Sequence, residues 1–179
     1  YEAMYVMGFP DEANERHKKR FSAMVNNDYF STLFEGWGIG KDGFGGGTVN
    51  HAWSGGGLTI LSSKLCGISP ISPGYSKFLV KPQLGNMEYA NTRVPSIIGN
   101  IDVEITKSAN QKLIRLKVPN KSEAYVELPW KSYRSLNIGN NKLIVNGKIN
   151  QKYSYKYKFK ATSQQFVLPE GIWKIVAEL

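Results

Sequence analysis

At Pro70-Ile71-Ser72-Pro73-Gly74 the spacing of apolar residues changes from helical to alternating. Two prolines and a glycine in five positions stop any regular element, since proline lacks an amide donor and fixes its own φ. The chain therefore needs two kinds of architecture, one on each side of this break. Before it, Ala3, Met4, Val6 and Met7 cluster ahead of Gly8 and read as the end of a helix. Pro10 suits the first turn of the next helix, and Asp11 and Glu12 complement its dipole. That helix is expected to run to about Asn27, with Ala13, Phe21, Met24 and Val25 on one stripe. His17 falls near the stripe and reads as a partly buried structural histidine. A third helix is expected over about 49–66, with Thr48 or Asn50 as its cap and Gly67 at its end. Gly55-Gly56-Gly57 inside it costs roughly 1 kcal/mol per residue relative to alanine, so a close approach by a backbone or a ligand is expected there.

After the break, alternation predicts strands at 77–81, 101–107, 112–118, 124–128, 132–138, 142–145, 152–160, 165–168 and 171–178. Turn residues such as Pro119-Asn120-Lys121, Gly139-Asn140-Asn141 and Asn146-Gly147 separate them. Many short strands spaced in this way read as an antiparallel β-sandwich, with Trp130 and Trp173 as core anchors. The expected fold is α+β: a helical piece over 1–74 and an all-β domain over 75–179. Three helices and a long loop make a poor independent core. The helical piece thus reads as the tail of a larger helical domain, or as one that packs on the sandwich.

The formal charge of +9 is uneven: residues 75–179 hold 17 Lys+Arg against 7 Asp+Glu. A basic domain can serve nucleic acid or an acidic glycan. Lysines alternating with aromatics fit equally the solvent face of a sheet, where they also discourage edge pairing. No nucleic-acid recognition motif accompanies the charge, so no nucleic-acid partner is expected. No apolar run approaches the roughly 20 residues that span a bilayer. No export signal is legible at the first residues. The lone Cys66 reads as a small core residue. Two histidines and one cysteine, far apart, offer no metal-ligand spacing, and no cofactor is expected.

Residues 32–57 carry the chemistry: T-L-F-E-G-W, a glycine-rich loop, then N-H-A-W-S-G-G-G. Glu35 lies between the aromatics Phe34 and Trp37, and His51 and Trp53 follow the loop. A carboxylate can move a proton, an imidazole can hydrogen-bond hydroxyls, and indoles can lie against the apolar face of a pyranose. No Gly-Lys-Ser/Thr follows the glycines, which excludes a phosphate loop. A loop glutamate that caps or salt-bridges locally, and a structural histidine at a helix start, account for the same residues.

The run G-F-P-D-E-A…R-F…T-L-F-E-G-W…N-H-A-W-S-G-G…G-I-S-P…P-G-Y closely resembles the end of the catalytic domain of bacterial alpha-L-rhamnosidases. The resemblance covers residues 1 to about 105. It implies the last helices of an (α/α)6 barrel followed by a C-terminal β-sandwich. The family inverts the anomeric centre of a terminal L-rhamnose, one carboxylic acid protonating the leaving oxygen and an opposed carboxylate activating water. By motif, Glu35 is implied as the general base and His51 as a ligand of the sugar hydroxyls. Trp37 and Trp53 are implied to line the pocket, and Phe34 to replace a more usual tryptophan in its wall. The family's general acid lies upstream on barrel helices, and Asp11, Glu12 and Glu15 match no acid motif.

The expectation is the C-terminal portion of an inverting glycosidase, inactive alone, whose partners are a rhamnosylated carbohydrate and the rest of the barrel. A periplasmic or extracellular setting fits such substrates. The alternative is a non-catalytic carbohydrate-binding or structural β-sandwich module.

Overall fold

A computed structural model describes residues 1–36 and 47–179. The chain divides into two compact units, Tyr1–Leu61 and Ser62–Leu179.

In the first unit, helix α1 spans Glu2–Val6 and helix α2 spans Pro10–Val25, with Pro10 at the N-terminus as the sequence predicts. The Tyr5 hydroxyl donates to Asn14 Oδ1 at 2.5 Å, a buried tie between the two helices. Phe21, Met24 and Phe34 form a small buried cluster, with Tyr1, Leu33 and Val49 packed against it. The predicted continuous helix over 49–66 is instead a 3-10 turn at Ala52–Gly55, helix α3 at Gly56–Ile60 and a π turn at Leu61–Leu65. It starts late because His51 is extended, at φ −135° and ψ 121°, and because the Thr48 side chain is engaged elsewhere.

The glycine triplet has a specific cause at one position. A Cβ on Gly57 would lie 2.6 Å from the Phe21 ring and 3.0 Å from His17, whereas Gly55 and Gly56 face open space. The group that comes near is therefore an aromatic side chain of α2.

The second unit is mostly sheet, consistent with a β-sandwich domain. Its described strands are β1 (Ile68–Pro70), β2 (Lys77–Val80), β3 (Tyr89–Ser96), β4 (Gly99–Lys107), β5 (Gln111–Glu127), β6 (Ser135–Ile138), β7 (Asn141–Val145), β8 (Lys148–Ile149) and β9 (Gln165–Glu178). The order is β1-β2-β5-β9-β6-β7-β8, and β3 joins through β4 to β5. Among the described strands, only β2 and β5 run parallel; the other pairs are antiparallel.

Two predicted strand pairs prove to be single long strands. Over β5, Pro119-Asn120-Lys121 is a bulge rather than a turn: the register jumps from Val118↔Gly171 to Glu123↔Pro169. Glu170 Oε2 accepts the Lys121 amide at 2.6 Å, and the Ser122 hydroxyl donates to Pro119 O at 2.6 Å, so the displaced polar groups find partners. On β9 the buried positions change parity, from Phe166 and Leu168 to Ile175 and Ala177, across Gly171 at φ 137°. The core gathers Phe78, Val80, Ile105, Ile114, Val126, Leu136, Ile138 and Phe166, all fully buried.

The strand predicted over 152–160 is incorrect. Residues Gln151–Lys156 form helix α4, capped by Asn150, whose side chain accepts the Lys152 amide at 3.2 Å. Alternating Lys and Tyr imitates a period of two. Tyr157, one helical turn beyond Tyr153, is buried, while Tyr155 is 91% exposed. β3 escaped prediction because polar residues and Pro95 break its pattern. As an edge strand paired only to β4 it tolerates them.

Candidate active site

Asn27, just past the end of α2, accepts the amides of Tyr29 (3.0 Å) and Phe30 (2.9 Å) on its side-chain oxygen and turns the chain. The returning segment pairs with residues 48–51. Glu35 N–H donates to Thr48 O and His51 N–H to Leu33 O, both at 2.9 Å. The Thr32 hydroxyl donates to Val49 O, and the Ser54 hydroxyl to Phe34 O. Phe34 does not line a wall: it is 2% exposed and packs on Phe21 and Met24. Its burial anchors the backbone beside Glu35 to the core of the unit.

Glu35 Oε2 accepts the Thr48 amide at 2.8 Å and lies 3.5 Å from His51 Nδ1. The Thr48 hydroxyl stands 2.9 Å from the same Nδ1. The Trp53 indole N–H donates to the Glu35 carbonyl at 3.1 Å, and the Trp53 and His51 rings are 4.5 Å apart at 43°. Three of the four residues singled out in the sequence thus come together; Trp37 lies outside the described residues.

Glu35 and His51 keep 30% and 32% of their side chains exposed, and Trp53 is 68% exposed. A pair so open contributes at most about 1 kcal/mol to folding. The cluster offers a carboxylate, a ring nitrogen and an aromatic face to one side of the unit, which suits a ligand bearing hydroxyls and an apolar face. Thr48 was the residue missed: its position suggested a helix cap, whereas its amide and hydroxyl serve Glu35 and His51.

His17 stands apart from this cluster. Its ring stacks on Phe21 at 4.6 Å and 22° and contacts Tyr1 at 5.1 Å. Burial lowers its pKa from the ordinary 6.5. Among the described residues, no three His, Cys, Asp or Glu side chains gather as a metal site. No described helix is long and apolar enough to cross a membrane.

In the second unit the exposed face of β3, β4, β5 and β9 carries an open groove of about 500 Å3. Arg93 pairs with Asp102 at 2.5 Å and Arg115 with Glu104 at 3.0 Å, and Lys117 lies 3.8 Å from Asp102. Tyr89 and Ile172 are 51% and 85% exposed beside them.

Residues 67–142 match the family described as bacterial alpha-L-rhamnosidase C-terminal domain. No curated protein matches the chain. Among solved structures, the alpha-L-rhamnosidase from Dictyoglumus thermophilum aligns over 99% of this chain and 20% of its own, with TM-score 0.74 and 20% identity. The Streptomyces avermitilis alpha-L-rhamnosidase complexed with L-rhamnose aligns over 82% of this chain and 14% of its own, with TM-score 0.59 and 18% identity. The Aspergillus terreus enzyme aligns over 61% and 13%, with TM-score 0.50 and 20% identity. At such identities the likeness is one of fold, and the chain spans about a fifth or less of each of these proteins. Family match and fold likeness fall on the same stretch: residues 67–142 are similar to the bacterial alpha-L-rhamnosidase C-terminal domain.

Proposed function

We propose that this chain is the C-terminal portion of an inverting glycosidase that removes terminal alpha-L-rhamnose, and that Glu35 is its general base. The observation that carries the proposal is the convergence of Glu35 Oε2 and His51 Nδ1 at 3.5 Å, beside an exposed Trp53. Glu35 accepts a proton from a water that attacks the anomeric carbon, and the bond to the leaving oxygen breaks as a separate acid protonates that oxygen. In inverting enzymes the two carboxyl groups stand roughly 6.5–9.5 Å apart to admit the water. His51 binds a sugar hydroxyl, and Trp53 packs on the ring.

Large apolar side chains left open on the first unit support its membership of a larger helical domain, the end of an (α/α)6 barrel. Val6, Met7, Val25 and Leu58 are each more than 60% exposed. The general acid belongs to the remainder of that barrel, so the 179-residue chain alone is inactive. Rhamnosylated glycans outside the cytoplasm are the natural substrates, which places the protein in the periplasm or beyond. Incubation with an aryl alpha-L-rhamnoside tests this. No turnover is expected from the chain alone, and turnover that Glu35→Gln abolishes would overturn the inactivity. L-rhamnose is expected to shift the His51 and Trp53 resonances; if neither moves at saturating sugar, the site assignment fails.

A second reading, a carbohydrate-binding β-sandwich module, draws on the groove between Tyr89, Arg93, Asp102 and Arg115. It predicts that Tyr89→Ala and Arg93→Ala remove saccharide binding while Glu35→Gln leaves it intact.

A further inference from the structure

We propose that Thr48 is a positioning residue: its hydroxyl, set beside the His51 imidazole and the Glu35 carboxylate, holds His51 with its proton on Nδ1. Nε2 is thereby left as an acceptor for a substrate hydroxyl. The inference rests on the reading of Glu35 and His51 as a sugar site and adds the proton arrangement within it.

Three atoms define the geometry. Thr48 Oγ1 lies 2.9 Å from His51 Nδ1 and 3.5 Å from Glu35 Oε2, and Nδ1 is itself 3.5 Å from Oε2. Thr48 cannot drift from this place without loss, because its amide donates to the same Oε2 at 2.8 Å. Its branched Cβ restricts rotation of the hydroxyl about χ1.

Only one hydrogen fits between Oγ1 and Nδ1. If it is the hydroxyl's, bare Nδ1 and the lone pairs of Oγ1 both face an ionised carboxylate, which can only accept. If it is the imidazole's, Nδ1–H donates to Oγ1 and its dipole points towards the negative charge. The hydroxyl hydrogen is then free for Oε2, or for Asn50 O at 3.4 Å. The charge of Glu35 selects the second arrangement. The Trp53 ring packs against the imidazole at 4.5 Å. A ring nitrogen's partner sets its tautomer, and so determines whether the opposite nitrogen gives or takes a hydrogen bond.

The test is the tautomer of His51 in the 15N-labelled chain, read from ring nitrogen–proton correlations at about pH 8, where an ordinary imidazole is neutral. Two histidines make the spectrum assignable, and His17, stacked on Phe21, reports whether the first unit is folded. The Nδ1–H form is expected to predominate. Thr48→Val should lower the ratio of Nδ1–H to Nε2–H by about fivefold, the size that one hydrogen bond carries, while Thr48→Ser restores it. Glu35→Gln should lower it in the same direction. Predominance of Nε2–H in the unaltered chain overturns the proposal, and so does an unchanged ratio in Thr48→Val with His17 undisturbed. If Thr48→Val does not fold, the unaltered chain and Thr48→Ser decide. An Nδ1–H imidazole that L-rhamnose fails to perturb would keep this arrangement and remove the sugar site instead.

Discussion

Replacing Gly56 and Gly57 by alanine, one at a time, should stabilise at the first position and not at the second. Both residues belong to α3, so both substitutions gain helix propensity, about 1 kcal/mol each. At Gly56 the added methyl meets nothing within 4 Å, and the gain stands. At Gly57 it would sit 2.6 Å from the tip of the Phe21 ring and 2.9 Å from a second ring atom. Phe21 cannot swing aside freely, because it is buried, packs with Met24 and Phe34, and stacks on His17. Forcing a methyl into such packing costs about 1–3 kcal/mol. The expected result is Gly56→Ala about 0.5–1 kcal/mol more stable than the parent, and Gly57→Ala between neutral and about 2 kcal/mol less stable. Urea titration followed through the His17 ring signals gives both values for the first unit. Equal stabilisation by the two substitutions would refute the claim that Phe21 occupies the space beside Gly57.

Three further predictions rest on single groups. Burial pushes the Cys66 thiol up to about 11, so it should resist iodoacetamide at neutral pH in the folded chain and react readily in urea. His17 is held below 6.5 in the folded chain, so the unfolded chain binds its proton first. Stability from this group is present above 6.5 and is lost as the pH falls from there through the lower folded value. His17→Phe should flatten that part of the stability–pH profile, measured by urea titration across it. Tyr133 has a buried hydroxyl with no partner among the described residues, and burial pushes its pKa up to about 12. Tyr133→Phe should therefore be neutral or stabilising by up to about 1 kcal/mol in thermal unfolding, since it removes an unpaired polar group.

Local signals carried much of the architecture. Pro10 with Asp11 and Glu12 marked the start of α2, and the alternation of Ile101, Val103 and Ile105 marked β4. What local signals could not show was continuity across a corner. Pro119-Asn120-Lys121 has turn chemistry, and only the pairing of β5 with β9 on both sides reveals a bulge. Helix α4 was obscured because Tyr153, Tyr155 and Tyr157 satisfy a period of two, while the Asn150 cap was the signal that distinguished the cases. At the candidate site the motif order indicated Glu35, His51 and Trp53. The role of Thr48 was not legible, because it depends on an amide reaching across the loop closure to a carboxylate 13 positions away.

The most direct test places Glu35→Gln in a longer polypeptide that carries the helices proposed to complete the barrel, and follows hydrolysis of an aryl alpha-L-rhamnoside. If Glu35 is the base, kcat should fall on the order of 10²–10⁴-fold, because glutamine keeps the size of the side chain but takes no proton. Activity within about twofold of the parent would show that the proton leaves by another route and that Glu35 is an ordinary loop carboxylate.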